Sequence, residues 1–226
     1  MTPPERQFHP AASIFPLLER YPLAELAEDI RRSGLREPIV LHPDGSILDG
    51  RNRYLACLKV GVEPRFRTWD DQGSQGSAVA FVVSCNLHRR HLTESQRAMV
   101  AARIATLEAH RPAAGSTAIA AVPQPEAAQM LNVSVDSVQR ARQVQQHAAP
   151  ELVQAVERGQ VAVSTAAIVA AAVPPAEQAE LIVRGEAEIL ARAKEIRAQH
   201  RAQRRQDDYY PTPPWLIRAL LRYIED

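Results

Sequence analysis

A polar, glycine-bearing stretch, DDQGSQGS at 70–77, separates two regimes of hydrophobic spacing. Ahead of it, short β-branched runs alternate with helical spacing; behind it, apolar residues recur at helical spacing alone. A chain divided in this way is expected to build a small α+β unit from its first third and to pack helix on helix in the remainder.

The first third has a clear order of elements. Leu23, Leu26, Ala27 and Ile30 lie on one helical face, and Gly34 stands where a C-terminal cap belongs. PIVLH, PDG and SILDG read as strand, turn and strand, so 38–49 is expected to be a hairpin. RNRYLACLKVG then suits a short helix and RFRTW a further strand. Beyond the polar stretch, 78–87 and 93–110 are expected to be helical, the second with Thr93 as N-cap and Gln96 three residues on, a capping-box arrangement. Prolines and small residues at 111–123 predict a loop, several short helices follow, and 184–206 reads as one charged helix.

Composition narrows the class. The chain has 226 residues, 46% of them hydrophobic and 23% charged, with 17 prolines, which favours at least two punctuated domains. Its longest alanine-rich apolar run, AAIVAAAV at 166–173, is far shorter than the roughly 20 residues of a membrane span, so no membrane partner is expected. With two cysteines lacking metal-ligand spacing and no secretory pattern at the N-terminus, a reducing cytoplasm is the expected compartment. The net charge is only +1, so a nucleic-acid partner must be inferred from motifs.

The first such motif is ILDGRNRYLAC at 47–57. Gly50 permits a sharp turn, and the first turn of the helix behind it offers amides without intrahelical acceptors, where an anion is stabilised. Arg51 and Arg53 add planar guanidinium forks that match phosphate oxygens. The alternative is two solvated arginines with Asp49 as their ion-pair partner. A second basic stretch, CNLHRRHLTESQRA at 85–98, again sets an asparagine and two arginines before a helix start.

Taken in order, these segments resemble the N-terminal domain of the ParB/sulfiredoxin superfamily over about 15–103. GLREPIVL is similar to its Gly-x-x-Gln-Pro-Ile segment, DGRNRYLA to its Gly-x-Arg/His-Arg-x-x-Ala box, and NLHRRHLT to its Asn-x-x-Arg-x-x-Leu box. The resemblance implies a nucleoside triphosphate pocket, usually for CTP with Mg2+, that acts as a switch closing a homodimer on DNA. Gly50, Arg51 and Arg53 would hold phosphates, and Asn86 and Arg89 would complete the pocket. Cys85 departs from the pattern, because partition-type members carry a metal-supporting glutamate there and a thiol is a poor ligand for a hard cation. Metal ligands are therefore left unassigned, and any enzyme activity is expected to be at most weak NTP hydrolysis.

Two enzymes share the superfamily. Sulfiredoxin chemistry needs a cysteine nucleophile in the box occupied here by Gly50–Arg53, which excludes it. Free-serine kinases are the rival: Glu37 could act as general base and Asp49 could help a metal, giving an ATP/ADP-dependent small-molecule kinase or a nucleotide-hydrolysing enzyme.

QPEAAQMLNVSVDSVQRARQVQ at 124–145 reads as a helix-turn-helix. Ala128, Leu131, Val133, Val138 and Ala141 occupy the positions two crossing helices bury, Asn132 tolerates a left-handed turn, and Ser134 caps the second helix. In that arrangement Val135, Asp136, Gln139 and Arg140 face base edges of double-stranded DNA, while Ser134, Ser137 and Arg142 reach phosphates. An ordinary helical hairpin is the alternative. Residues 124–183 carry 3 basic and 6 acidic groups, so the phosphate-neutralising cations must come from elsewhere: Arg89, Arg90, Arg97 and Arg103, and the basic run at 192–205. The stretch to about 182 continues much as in ParB and KorB proteins.

The expected organisation is a ParB-like nucleotide-binding domain at 13–92, a helical DNA-binding domain at 93–183, a basic helix at 184–206 and a proline-rich tail at 207–226. The tail, DDYYPTPPWLIRALL, is similar to the opening of certain phage-type DNA methyltransferases, with no catalytic motif after it. A ParB-like DNA-binding protein of a plasmid, phage or mobile element is the functional expectation.

Overall fold

The computed structural model describes residues 6–17, 20–70, 77–87, 91–107 and 122–207. Arg89 and Arg90, the tail beyond Asp207 and all but the last two residues of the expected 111–123 loop lie outside them.

The amino-terminal third is α+β, as its patterning requires. A 3-10 helix, Pro10–Ile14, precedes α1 (Arg20–Ser33), β1 (Ile39–Leu41), β2 (Ile47–Asp49), α2 (Arg51–Val60) and β3 (Phe66–Thr68). The sheet order is β2-β1-β3. β1 and β2 form the expected hairpin, with Val40 opposite Asp49 and an irregularity beside Leu41. Its turn is fixed by Asp44, whose carboxylate accepts from the Ser46 amide at 2.8 Å and from its hydroxyl at 2.6 Å. β3 pairs parallel to β1, Val40 opposite Arg67. Gly34 closes α1 by donating its N–H to the Ile30 carbonyl at 2.9 Å.

Alternation along the strands divides the burial. Ile39 and Ile47 point into a core with Ala27 and Ile30 of α1 and Tyr54 and Cys57 of α2, whereas Val40 and Leu48 point to the opposite face, against Ala11, Ile14, Val79 and Val82. The 3-10 helix, absent from the sequence reading, thus covers one face of the sheet. His9 caps it by accepting from the Ala11 amide at 3.3 Å, Pro10 begins it, and the chain ahead of it pairs through Phe8 with Ile47 at the edge of β2.

The remainder is helical: α3 (Ala78–Leu87), α4 (Glu94–Thr106), α5 (Gln124–Leu131), α6 (Val135–His147), α7 (Pro150–Glu157), α8 (Val163–Ala172), α9 (Pro175–Arg184) and α10 (Glu186–Asp207). The basic helix accordingly starts at Glu186, and Arg184 belongs to α9. α4 is the central column. Its N-terminus carries the expected capping box, with the Gln96 amide donating to Thr93 Oγ1 at 3.3 Å and the Thr93 amide donating to Gln96 Oε1 at 2.9 Å. Ala98, Ala101 and Ala102 are fully buried and let α5, α6, α7 and α8 approach closely. Polar contacts fix those approaches: Gln96 Nε2 donates to the Glu157 carbonyl at 2.7 Å, Gln145 Nε2 to the Met99 carbonyl at 2.9 Å, and the Val163 amide to Ser95 Oγ at 3.1 Å. Gln178, 1% exposed, receives the Ala149 amide and donates to the Val173 carbonyl, which ties α9 to the start of α7. Among the described residues no helix is long and apolar enough to cross a membrane.

Candidate functional site

Two surfaces carry the residues singled out in sequence. The first lies where β2 passes into α2. Gly50 stands there with φ +97°, a left-handed conformation that costs any L side chain, and a Cβ at this position would meet Arg53 Nη2 at 3.0 Å. Removing the side chain leaves room for the Arg53 guanidinium to fold back over the turn. The α2 N-terminus borders a cavity of about 620 Å³ whose walls include Glu37, Asp49, Gly50, Arg51, Arg53 and Asn86, over an apolar floor of Ala12, Phe15, Leu26, Leu48 and Val82. Residues from three separate motifs, 37 to 86, converge on one space.

Their polar contacts are with one another. Arg53 donates through Nη1 to Glu37 Oε2 at 2.7 Å and through Nη2 to Asp49 Oδ2 at 2.8 Å. Asp49 is also the bridge to α3: Asn86 Nδ2 donates to Asp49 Oδ1 at 3.1 Å and to the Val82 carbonyl at 2.9 Å. Arg51 turns the other way, donating to the Phe15 carbonyl at 2.6 Å and to Ser13 Oγ at 3.4 Å. Each arginine is thus held by acceptors of its own chain, and the Arg53–Asp49 pair is the one the alternative reading named. Glu37 and Asp49, the carboxylates of the kinase alternative, both serve Arg53. Arg89 falls outside the described residues.

The donor set suits a polyphosphate carried with a hard divalent ion. It joins two guanidinium groups and a helix N-terminus to two carboxylates, oxygen donors of the kind Mg2+ takes, and leaves an open space between them. Cys85, half-buried and one residue before Asn86, offers sulfur instead. Cys57, on the buried face of α2, has its thiol pKa raised by burial, opposed in part by the nearby Arg53 charge.

The second surface is the α5–α6 pair. Asn132 adopts φ 51°, ψ 57° at the C-terminus of α5, the left-handed turn expected of it, and Ser134 caps α6 by accepting from the Ser137 amide at 3.0 Å. Ala127, Ala128, Leu131, Val138, Ala141 and Val144 are buried, and Val133 packs partly buried beside them. The opposite face is open: Val135 is 38% exposed, and Ser134, Asp136, Gln139, Arg140 and Arg142 are exposed with it. Arg140 pairs with Asp136 at 2.5 Å, one turn apart.

Ser137 is the correction on this helix. It is 6% exposed and donates its hydroxyl to Glu94 Oε1 at 3.1 Å while accepting from Ser134 Oγ at 2.9 Å, so it faces α4 and not solvent. The helical period could have signalled this, since 137, 141 and 144 share the buried stripe. Glu94, the residue that receives it, was unremarkable in sequence beyond its place in a first helical turn. Among the expected flanking cations, Arg103 is also turned inward, ion-paired with Glu157 and donating to the Ile14 carbonyl. Arg192 pairs with Glu177 and Glu195, whereas α10 past Ile196 is exposed on every side from Arg197 to Arg205.

No protein-family model matches the chain, and no curated protein matches it in sequence. Among solved structures it is similar to the C-terminally truncated chromosome-partitioning protein ParB of Caulobacter crescentus complexed to the centromeric parS site, at 18% identity over 80% of this chain and 90% of that one, TM-score 0.37. The same Caulobacter protein complexed with CTP-gamma-S matches at 19% identity over 80% and 88% of the two chains, TM-score 0.26. A Pnob8-like ParB-N domain matches at 17% identity over 74% and 76%, TM-score 0.41.

Proposed function

We propose that this chain is a DNA-binding protein of the ParB-like class, from a plasmid, phage or mobile element, whose amino-terminal domain responds to a nucleoside triphosphate of the CTP type. The observation that carries the reading is the division of α6: Val138, Ala141 and Val144 are buried while Val135, Asp136, Gln139, Arg140 and Arg142 are exposed. A helix held by one face behind a tight turn, with a polar outer face at its N-terminus, has the form needed to enter a major groove. Arg140 and Gln139 are the side chains best suited to base edges, and Ser134 and Arg142 to phosphates.

The cavity at Gly50 supports the nucleotide part. Gly50, Arg51, Arg53 and Asn86 would hold the phosphates, with Arg89 from the adjoining stretch, and Asp49 and Glu37 would supply oxygen donors for Mg2+. The bound nucleotide would offer Arg53 phosphate oxygens in place of its carboxylates, and Asp49 would pass that exchange to α3 through Asn86. A contact that changes partner in this way suits a switch closing a homodimer on DNA; hydrolysis, if present, is weak.

Gel-shift titration of labelled DNA fragments tests the DNA part, and calorimetry with CTP and ATP in Mg2+ tests the pocket. Wild-type binding of CTP that disappears in Arg53→Ala is the expected result. The presence of Glu37 and Asp49 in the same cavity favours a second reading, a free-serine-type kinase. Phosphoserine formed from serine, nucleotide and Mg2+, and lost in Glu37→Gln, would establish it instead.

A further inference from the structure

A second pocket, of about 530 Å³, lies between the end of α3, the start of α4 and the turn after α5. Its polar wall is His91, Thr93, Arg97 and Asn132, and Leu87, Leu92 and Leu131 supply the apolar wall. None of these lining residues is acidic. Arg97 is half-buried, its Nε is shielded from solvent, and that atom has no hydrogen-bond partner among the described residues. Arg53, Arg103 and Arg192 each have a carboxylate, but no ion pair to Arg97 occurs among the described residues. The acid nearest in sequence, Glu94, receives the Ser137 hydroxyl. A guanidinium taken partly out of water without a counter-charge is costly, and the cost is removed when an anion fills the space beside it.

The pocket's position indicates which anion. The Glu94–Ser137 contact sets the first turn of α4 against the first turn of α6, so Arg97, one turn further along α4, lies beside Asn132 at the turn that leads into the exposed helix. We propose that this pocket receives one phosphate of the DNA backbone, with Arg97 as its charged ligand and the Thr93 hydroxyl and His91 as further donors. The inference rests on the α5–α6 pair being a DNA-binding unit. It also supplies, from α4, part of the positive charge that 124–183 lacks.

The test is a salt titration of a fluorescent random-sequence duplex with the full chain, comparing wild type with Arg97→Gln, alongside calorimetry with inorganic phosphate. Loss of one phosphate contact lowers the slope of log K against log salt by about 0.9 and weakens binding to every sequence alike. Arg97→Lys should recover most of the slope. Arg97→Met, which keeps the packing volume and removes the unpaired charge, should melt no lower than wild type, which separates lost contact from lost fold. An unchanged slope in Arg97→Gln with wild-type DNA binding intact overturns the proposal while leaving the helix pair's role standing. Phosphate binding lost in Arg97→Gln with an unchanged DNA slope assigns the pocket to a free oxyanion and also overturns it. If the wild type binds no duplex, the DNA-binding reading fails and this inference with it.

Discussion

Arg53 and Asp49 meet at 2.8 Å across the first turn of α2, with side chains only 16% and 11% exposed, and the other Asp49 oxygen receives Asn86 of α3 at 3.1 Å. Asp49 therefore links the strand-to-helix turn and its arginine to the helix that follows the polar stretch. The companion pair with Glu37, which is 59% exposed, is solvated and contributes little by itself.

Arg53→Ala leaves Asp49 enclosed with, among the described residues, no cation and only the Asn86 amide. The expected cost is about 1–3 kcal/mol of stability, read by denaturant unfolding, together with loss of CTP binding by calorimetry. Affinity for DNA without nucleotide should be largely unchanged.

Gly50→Ala introduces a Cβ into a residue at φ +97° and 3.0 Å from Arg53 Nη2. The side-chain end can shift, so the backbone conformation dominates, at roughly 1–2 kcal/mol. A lowered unfolding midpoint with weakened nucleotide binding is expected; a variant as stable as wild type would show that the turn does not require glycine.

On α6 two neighbouring residues should behave oppositely. Arg140→Ala is expected to weaken specific DNA binding by about 1–3 kcal/mol, while stability stays within about 0.5 kcal/mol because its pair with Asp136 is exposed. Ser137→Ala breaks the partly buried contact with Glu94 and should lower stability by about 1 kcal/mol, with the DNA affinity of the folded protein unchanged. Unfolding curves and gel shifts on both variants read the difference.

Much of this arrangement is legible in sequence because local chemistry decides it. Thr93 and Gln96 state the start of α4, and Asn132 and Ser134 the turn into α6. Contacts made between distant segments are another matter. Nothing adjacent to Arg51 in sequence points to the Phe15 carbonyl 36 residues away, and nothing adjacent to Ser137 points to Glu94. The 3-10 helix at Pro10–Ile14 escapes notice because five residues hold too few apolar positions to display a period, although Ala11 and Ile14 are almost fully buried. Gln178 reads as a surface residue until the Ala149 amide and Val173 carbonyl are placed on either side of it.

The two thiols should differ in reactivity. Burial raises the Cys57 pKa, so its thiolate is scarce at neutral pH and Cys85, half-buried, should be alkylated first. The raised folded value also fixes a sign: the stability due to neutral Cys57 is complete below the unfolded thiol pKa, about 8.5, and declines as pH rises beyond it. Cys57→Ser should flatten that alkaline decline in unfolding curves taken on either side of pH 8.5.

The most direct measurement is a titration of labelled genomic DNA fragments with the full chain at one fixed salt concentration, with and without CTP and Mg2+, in wild type and Arg53→Ala. The expected result is selective retention of a subset of fragments by both proteins, altered by CTP in the wild type alone. Equal affinity for every fragment, or retention indifferent to CTP in the wild type, would contradict the account of a nucleotide-responsive DNA reader.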